Sequence, residues 1–273
     1  MVIYGTNIPQ GAFEASTSLE NKVKVVVLAG GFGSRISEES QFKPMVPILW
    51  HIMKLYSHHG FNDFVICAGY KQHVIKEYFA DYFLHTSDVT FDFTGGRQDV
   101  VIHKNKSEPW RVTIVDTGLD TMTGGRVKRI APYIGNETFL LTYGDGVSDV
   151  DITREIAFHK AHGKMLTIAT VNPGQRFGTM DIADDGTIRS FREKADGDGT
   201  LINGGYMVCE PSLFDLIDGD ATVLERDPFE KAAASGQLMG YRHDGFWQCM
   251  DNVREKQYLE KLWAEGTAPW KVW

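Results

Sequence analysis

Cysteine is scarce in this sequence. Cys67, Cys209 and Cys249 are the only three in 273 residues, odd in number and far apart. That spacing excludes a disulfide framework and the paired-cysteine pattern of a structural zinc site, and it leads us to expect a reducing, cytoplasmic setting. Positive charge is also in deficit, with 28 Lys and Arg against 36 Asp and Glu, a net charge of −8. Such a chain does not hold long nucleic acid or an anionic membrane through bulk electrostatics, so any anionic ligand must be gripped locally. No apolar run approaches the length that crosses a bilayer, and the first 21 residues have neither a basic leader nor an apolar centre. Mixed in character, those residues are expected to form a flexible N-terminal extension to a single domain over 22–273. Internal repeats and low-complexity tracts are missing too.

What is present suits a packed α/β domain: 42% apolar and 12% aromatic residues. Continuous apolar runs at Val23–Ala29, Asp63–Ala68, Phe139–Tyr143 and Leu166–Val171 have the length of strands buried on both faces, which implies parallel pairing. Between them, "PILWHIMKLYSHHG" carries Leu49, Met53 and Tyr56 at helical spacing with Gly60 as a stop. "KQHVIKEYFADYFLH" and "DITREIAFHKAHG" also read as helices, the latter with Asp151 as cap. This alternation predicts helices packed on a largely parallel sheet. From Gly178 onward, "GTMDIADDGTIRSFREK" predicts a hairpin around Asp185-Gly186, and the second half as a whole reads as insertions that build a pocket wall.

The first strand runs into "AGGFGSR", where Gly30, Gly31 and Gly33 bare backbone N–H groups and Arg35 follows two residues on. Ile36 stands where a dinucleotide fingerprint needs its third glycine, and no Lys followed by Ser or Thr closes a Walker loop. Two readings stand on this stretch: a polyphosphate grip at the end of a parallel strand, or a glycine turn with Arg35 as a surface charge. Asp145, flanked by Gly144 and Gly146 past a buried strand, has room for a hydrated metal, or else forms an Asx-turn. Asp251 is a second carboxylate candidate, or else the N-cap of the helix that follows. "MTGGRVKR" is either a nucleotide-contacting helix start or one whose Arg126, Lys128 and Arg129 are merely solvated. His51, His58, His59, His103, His159 and His162 show no convergent ligand spacing.

"LAGGFGSR" followed by "KPMV" resembles the signature of the sugar-1-phosphate nucleotidyltransferases. The stretches "PILWHIMKLYSHHGFNDFVICAGYK", "EPWRVTIVDTG", "MTGGRVKRI", "YGDGVSDVDI", "INGGY" and "GFWQCMDNVREKQYLEKLW" narrow the likeness to the glucose-1-phosphate cytidylyltransferases, over nearly all of Val23 to Trp273. The resemblance implies a Rossmann-like, mostly parallel sheet with helices on both faces and a smaller β-rich insertion that binds the sugar. It implies reaction of CTP with α-D-glucose 1-phosphate to give CDP-glucose and pyrophosphate, a precursor for the CDP-linked dideoxy sugars of lipopolysaccharide O-antigen. Asp145 and Asp251 would hold Mg2+. Leu28, Gly30, Gly31, Gly33, Arg35, Thr123, Gly124, Arg126 and Asp145 would bind the nucleotide, and Arg35, Lys43 and Lys194 would act as catalytic cations. Glu193, Lys194, Asn203, Gly204 and Trp247 would bind the sugar phosphate, with Gly204 letting the sugar lie against the backbone and Trp247 as a pocket wall. A homo-oligomer is expected, without nucleic acid or membrane partners.

Two departures stand against the family pattern. Ala195 follows Lys194 where the family usually has proline, which loosens a loop without removing a charge. The family also carries a longer segment before "PILWH", whereas here Val46 leads directly into Pro47. That shortening predicts either a chain break between Val46 and Pro47 or a weakened grip of Lys43 on the triphosphate. Transfer from UTP or dTTP, and a weakly active binding homologue, are the competing readings.

Overall fold

The computed structural model describes residues 23–31, 45–96, 99–172, 179–182, 188–192 and 201–273. Arg35, Lys43, Glu193, Lys194, Gly33 and the N-terminal 21 residues lie outside them. In chain order the elements begin β1 (Val25–Ala29), α1 (Met45–His58), β2 (Asp63–Ala68), α2 (Gln72–Ala80), α3 (Tyr82–Thr86), β3 (Asp88–Asp92) and β4 (Asp99–His103). Next come β5 (Arg111–Asp116), α4 (Thr123–Arg129), α5 (Ala131–Ile134), β6 (Phe139–Tyr143), β7 (Gly146–Ser148) and α6 (Ile152–His162). The chain continues with β8 (Leu166–Val171), β9 (Thr179–Ile182), β10 (Ile188–Arg192), β11 (Ile202–Cys209) and a 3-10 helix over Pro211–Leu216. It closes with α7 (Asp227–Ala234), β12 (Leu238–His243), β13 (Trp247–Cys249) and α8 (Val253–Ala264).

Seven strands form the central sheet in the order β12-β8-β11-β6-β1-β2-β5. β5, β2, β1 and β6 pair in parallel, β8 pairs in parallel with β12, and β11 alone runs antiparallel, to both β6 and β8. The continuous apolar strands fit this geometry because both faces are covered. Val25 and Val27 pack with Ile52, Met53 and Tyr56 of α1, Ile152 of α6 and Leu259 of α8. Val26, one residue out of phase, packs on the other face with Val127 of α4, Phe214 of the 3-10 helix and Phe229 of α7. All three valines are fully buried, each contributing roughly 1.5–3 kcal/mol of hydrophobic stabilisation.

Three of the four expected strands have the expected bounds, and β1 starts two residues later than expected. The β9–β10 pair is antiparallel, as the hairpin reading required. Asp151 caps α6 by accepting from the Arg154 amide at 3.0 Å, and Gly163, at φ +61°, ends it. One expected helix is broken: "KQHVIKEYFADYFLH" divides into α2 and α3 at Asp81. Helix α1 starts two residues earlier than the sequence suggested and runs unbroken through Val46 and Pro47, so a chain break at that junction is not found. Pro47 falls in the first turn, where its missing N–H has no helical partner to lose.

Candidate active site

The site begins where β1 and β6 end side by side. Leu28 pairs with Tyr143 in register, and the Gly144 amide donates to the Leu28 carbonyl at 3.0 Å. A Cβ on Gly144 would stand 2.8 Å from that carbonyl oxygen, so only glycine lets the chain turn here toward Asp145. From Gly146 the chain enters β7, whose antiparallel partner is β13, with Gly146 opposite Cys249. The pairing continues one step further, since the Met250 amide donates to the Asp145 carbonyl at 2.7 Å. This two-stranded ribbon draws together the segments bearing Asp145 and Asp251, which are far apart in the sequence.

The competing role for Asp251 falls away. The N-cap of α8 is Asn252, whose side chain accepts from the Glu255 amide at 3.0 Å, while the Glu255 carboxylate accepts from the Asp251 amide at 2.6 Å. Cys249, Asp251 and Glu255 bring ligand-type atoms within 4.8 Å of one another. Their mixture of thiol and carboxylate does not suit Mg2+, which takes oxygen donors. Asp145 and Asp251 each offer oxygen donors of the type Mg2+ takes, and the ribbon sets their backbone segments side by side.

Arg126 is not solvated. It is only 5% exposed, and its guanidinium donates to Thr117 Oγ1 at 2.8 Å, the Gly118 carbonyl at 2.7 Å and the Leu119 carbonyl at 3.1 Å. Burial lowers its pKa from the ordinary value, yet an arginine of this kind stays charged. The guanidinium lies against Gly30 and Gly69, where added Cβ atoms would collide with it, which is a physical reason for glycine at the strand end. A buried cation whose hydrogen bonds, among the described residues, all go to neutral oxygens makes the glycine end of β1 attractive to an anion. Lys128 donates to the Phe214 carbonyl at 2.7 Å and Arg129 pairs with Asp220 at 2.6 Å, so neither of these is simply a solvated charge.

Other sequence candidates have partners within the chain. The Gly124 and Gly125 amides donate to the Thr222 carbonyl at 2.9 and 3.3 Å, so both are engaged within the chain. At Gly204 a Cβ would meet Val171 at 2.7 Å and the Ala169 carbonyl at 2.9 Å, so close packing on β8 already demands glycine there. Its carbonyl accepts from Trp247 Nε1 at 2.7 Å. That bond fixes the indole beside the ribbon, with Nε1 3.8 Å from where a Gly146 Cβ would lie. Asn203 is held by the Gly205 amide on its Oδ1 at 2.8 Å and donates from Nδ2 to Tyr143 Oη at 3.3 Å. Gly31 is exposed, and no atom of the described residues lies within 4 Å of where its Cβ would stand.

Two participants escaped sequence reasoning. Tyr143 Oη donates to Glu225 at 2.5 Å, and Thr123 Oγ1 donates to the other Glu225 oxygen at 2.7 Å. Burial, then the Glu225 charge, push the Tyr143 hydroxyl pKa up, so it acts as a neutral donor. Nothing in "VLERDPFEK" marks Glu225, which reads as one acid among several before a helix.

A mostly parallel sheet with a glycine turn, a buried cation and two carboxylate-bearing segments at the carboxyl ends of its central strands is the equipment of a phosphate-handling transferase. The chain belongs to the nucleotidyl transferase family, whose model matches residues 24–248. It is 57% identical over 259 residues to the glucose-1-phosphate cytidylyltransferase of Salmonella typhimurium (strain LT2), covering 92% of this chain and all of that one. To the probable glucose-1-phosphate cytidylyltransferase of Bacillus subtilis (strain 168) it is 39% identical, with the same coverage. Among solved structures, a UDP-glucose pyrophosphorylase complexed with UDP-glucose superposes with a TM-score of 0.64 at 14% identity, over 89% of this chain and 99% of that one. This last likeness bears on the fold alone.

Proposed function

We propose that this protein transfers the cytidylyl group of CTP to α-D-glucose 1-phosphate, forming CDP-glucose and releasing pyrophosphate. The observation that carries the reading is the β7–β13 ribbon, which gathers the Asp145 and Asp251 segments at the carboxyl end of β6 in a chain 57% identical to a glucose-1-phosphate cytidylyltransferase. A sugar phosphate oxygen attacks the α-phosphorus while the bond to the pyrophosphate oxygen breaks, so positioning and charge neutralisation suffice without a covalent nucleophile. On this reading the glycine turn from Gly30 receives the phosphates and Arg126 adds positive potential behind it. Arg35 and Lys43 follow in the sequence and add positive charge for the triphosphate, and Lys194, next to Glu193, meets the sugar phosphate. Asn203 and Trp247 border the sugar. Mg2+ held by Asp145 and Asp251 would offset phosphate charge.

The scarcity of cysteine supports a cytoplasmic setting, and a homo-oligomer is part of the same reading. Pyrophosphate release measured with each of CTP, UTP, dTTP, ATP and GTP, with and without glucose 1-phosphate, tests the proposal. Release that needs both CTP and the sugar phosphate is expected. Comparable kcat/KM for UTP or dTTP would move the assignment to a broader sugar nucleotidyltransferase.

A further inference from the structure

One carboxylate beside the candidate site is announced by neither motif nor spacing. Glu225 is half-buried in the segment before α7. Its two oxygens face different parts of the site: Oε2 accepts from Thr123 Oγ1, in the first turn of α4, at 2.7 Å, and Oε1 accepts from Tyr143 Oη, at the end of β6, at 2.5 Å. Each hydroxyl is also used as an acceptor. Thr123 Oγ1 takes the Leu224 amide at 2.9 Å, and Tyr143 Oη takes Asn203 Nδ2 at 3.3 Å. The result is one chain of hydrogen bonds from α4 through Glu225 and Tyr143 to Asn203 on β11.

We propose that Glu225 is a positioning residue that locks the nucleotide-holding start of α4 to the end of β6 and, through it, to the sugar-holding start of β11. The inference rests on the functional reading above, in which Thr123 and Arg126 stand on the nucleotide side and Asn203 on the sugar side. Arg126 follows Thr123 by less than one turn, and Asp145 follows Tyr143 by two residues, so a shift of either hydroxyl is passed directly to the groups that meet substrate. Hydrogen bonds to an ionised acceptor are the strong ones, and two that converge on one carboxylate fix a distance between elements that nonpolar packing leaves softer.

The test uses the whole protein and CDP-glucose, a single ligand that spans both halves, titrated calorimetrically. Thr123→Val, Tyr143→Phe and the pair are measured in wild-type and Glu225→Ala backgrounds. With Glu225 present, the double substitution is expected to weaken CDP-glucose binding by less than the product of the single effects, because either one already opens the clamp. Glu225→Ala itself should weaken binding about 10-fold, and adding either substitution to it should change little further. Glu225→Gln should fall between, since an amide oxygen accepts from only one of the two hydroxyls. Lowered thermal stability in Glu225→Ala with CDP-glucose affinity and both KM values unchanged would overturn the inference, leaving Glu225 a merely structural residue. Wild-type binding is read first: its absence overturns the functional reading together with this one, whereas normal wild-type binding with strictly additive substitutions overturns the clamp alone.

Discussion

Replacing Glu155 by Gln should make the protein more stable, and increasingly so as pH rises. Glu155 lies in the first turn of α6, is 1% exposed, and has one carboxyl oxygen with no hydrogen-bond partner among the described residues. Tyr56, Tyr206 and Cys209 lie near it, and the Ala169 amide is the contact that favours its charged form. Burial pushes its pKa from 4.5 to about 8, so the folded protein keeps this carboxyl protonated at neutral pH. The unfolded chain loses that proton near its ordinary pKa. Below that value both states hold the proton and stability is indifferent to it. Between there and about 8 the folded state binds more protons, so stability falls as pH rises, and above about 8 the loss is complete. At 1.36 kcal/mol per unit the whole loss is about 4–5 kcal/mol, an upper bound because the neighbourhood relaxes. Glutamine keeps the acceptor for the Ala169 amide and cannot ionise. Urea unfolding at pH 5, 6, 7 and 8 should therefore show the variant gaining on the wild type by roughly 1 kcal/mol per pH unit, with other titrating groups cancelling between the two. Parallel pH profiles would refute the argument.

Asp145→Asn and Asp251→Asn should each lower kcat about 100-fold or more, the scale of ~3 kcal/mol of transition-state stabilisation, with circular dichroism unchanged; near-normal turnover of both would refute the metal assignment. Arg126→Ala should raise the KM for CTP and lower the melting temperature by several degrees, because the buried Thr117 hydroxyl and the part-buried Gly118 and Leu119 carbonyls lose their donor. Trp247→Phe removes the bond to the Gly204 carbonyl and should raise the KM for glucose 1-phosphate more than that for CTP in steady-state assays.

The parallel core was legible because strands buried on both faces must be apolar at every position, and Val25, Val26 and Val27 obey that rule. β11 was harder to place: "INGGYMVC" carries two glycines and enters the sheet antiparallel between β6 and β8, a position set by tertiary pairing that local pattern does not encode. The carboxylates Asp145 and Asp251 stood out individually, yet the ribbon that joins them is only three residues a side, too short to announce itself. Arg126 was legible as a candidate but its burial was not, because a basic run on a helix ordinarily faces water and the glycines that admit the guanidinium lie on other segments. Glu225 was hidden for the complementary reason: its partners Thr123 and Tyr143 are 102 and 82 residues away.

The most direct measurement of the central claim is a phosphorus NMR time course of the wild-type protein with CTP, glucose 1-phosphate and Mg2+. The account predicts that CDP-glucose and pyrophosphate appear in equal amounts as both substrates disappear, and that chelating the metal stops the reaction. CTP breakdown without consumption of glucose 1-phosphate, or no change in either substrate, would contradict it.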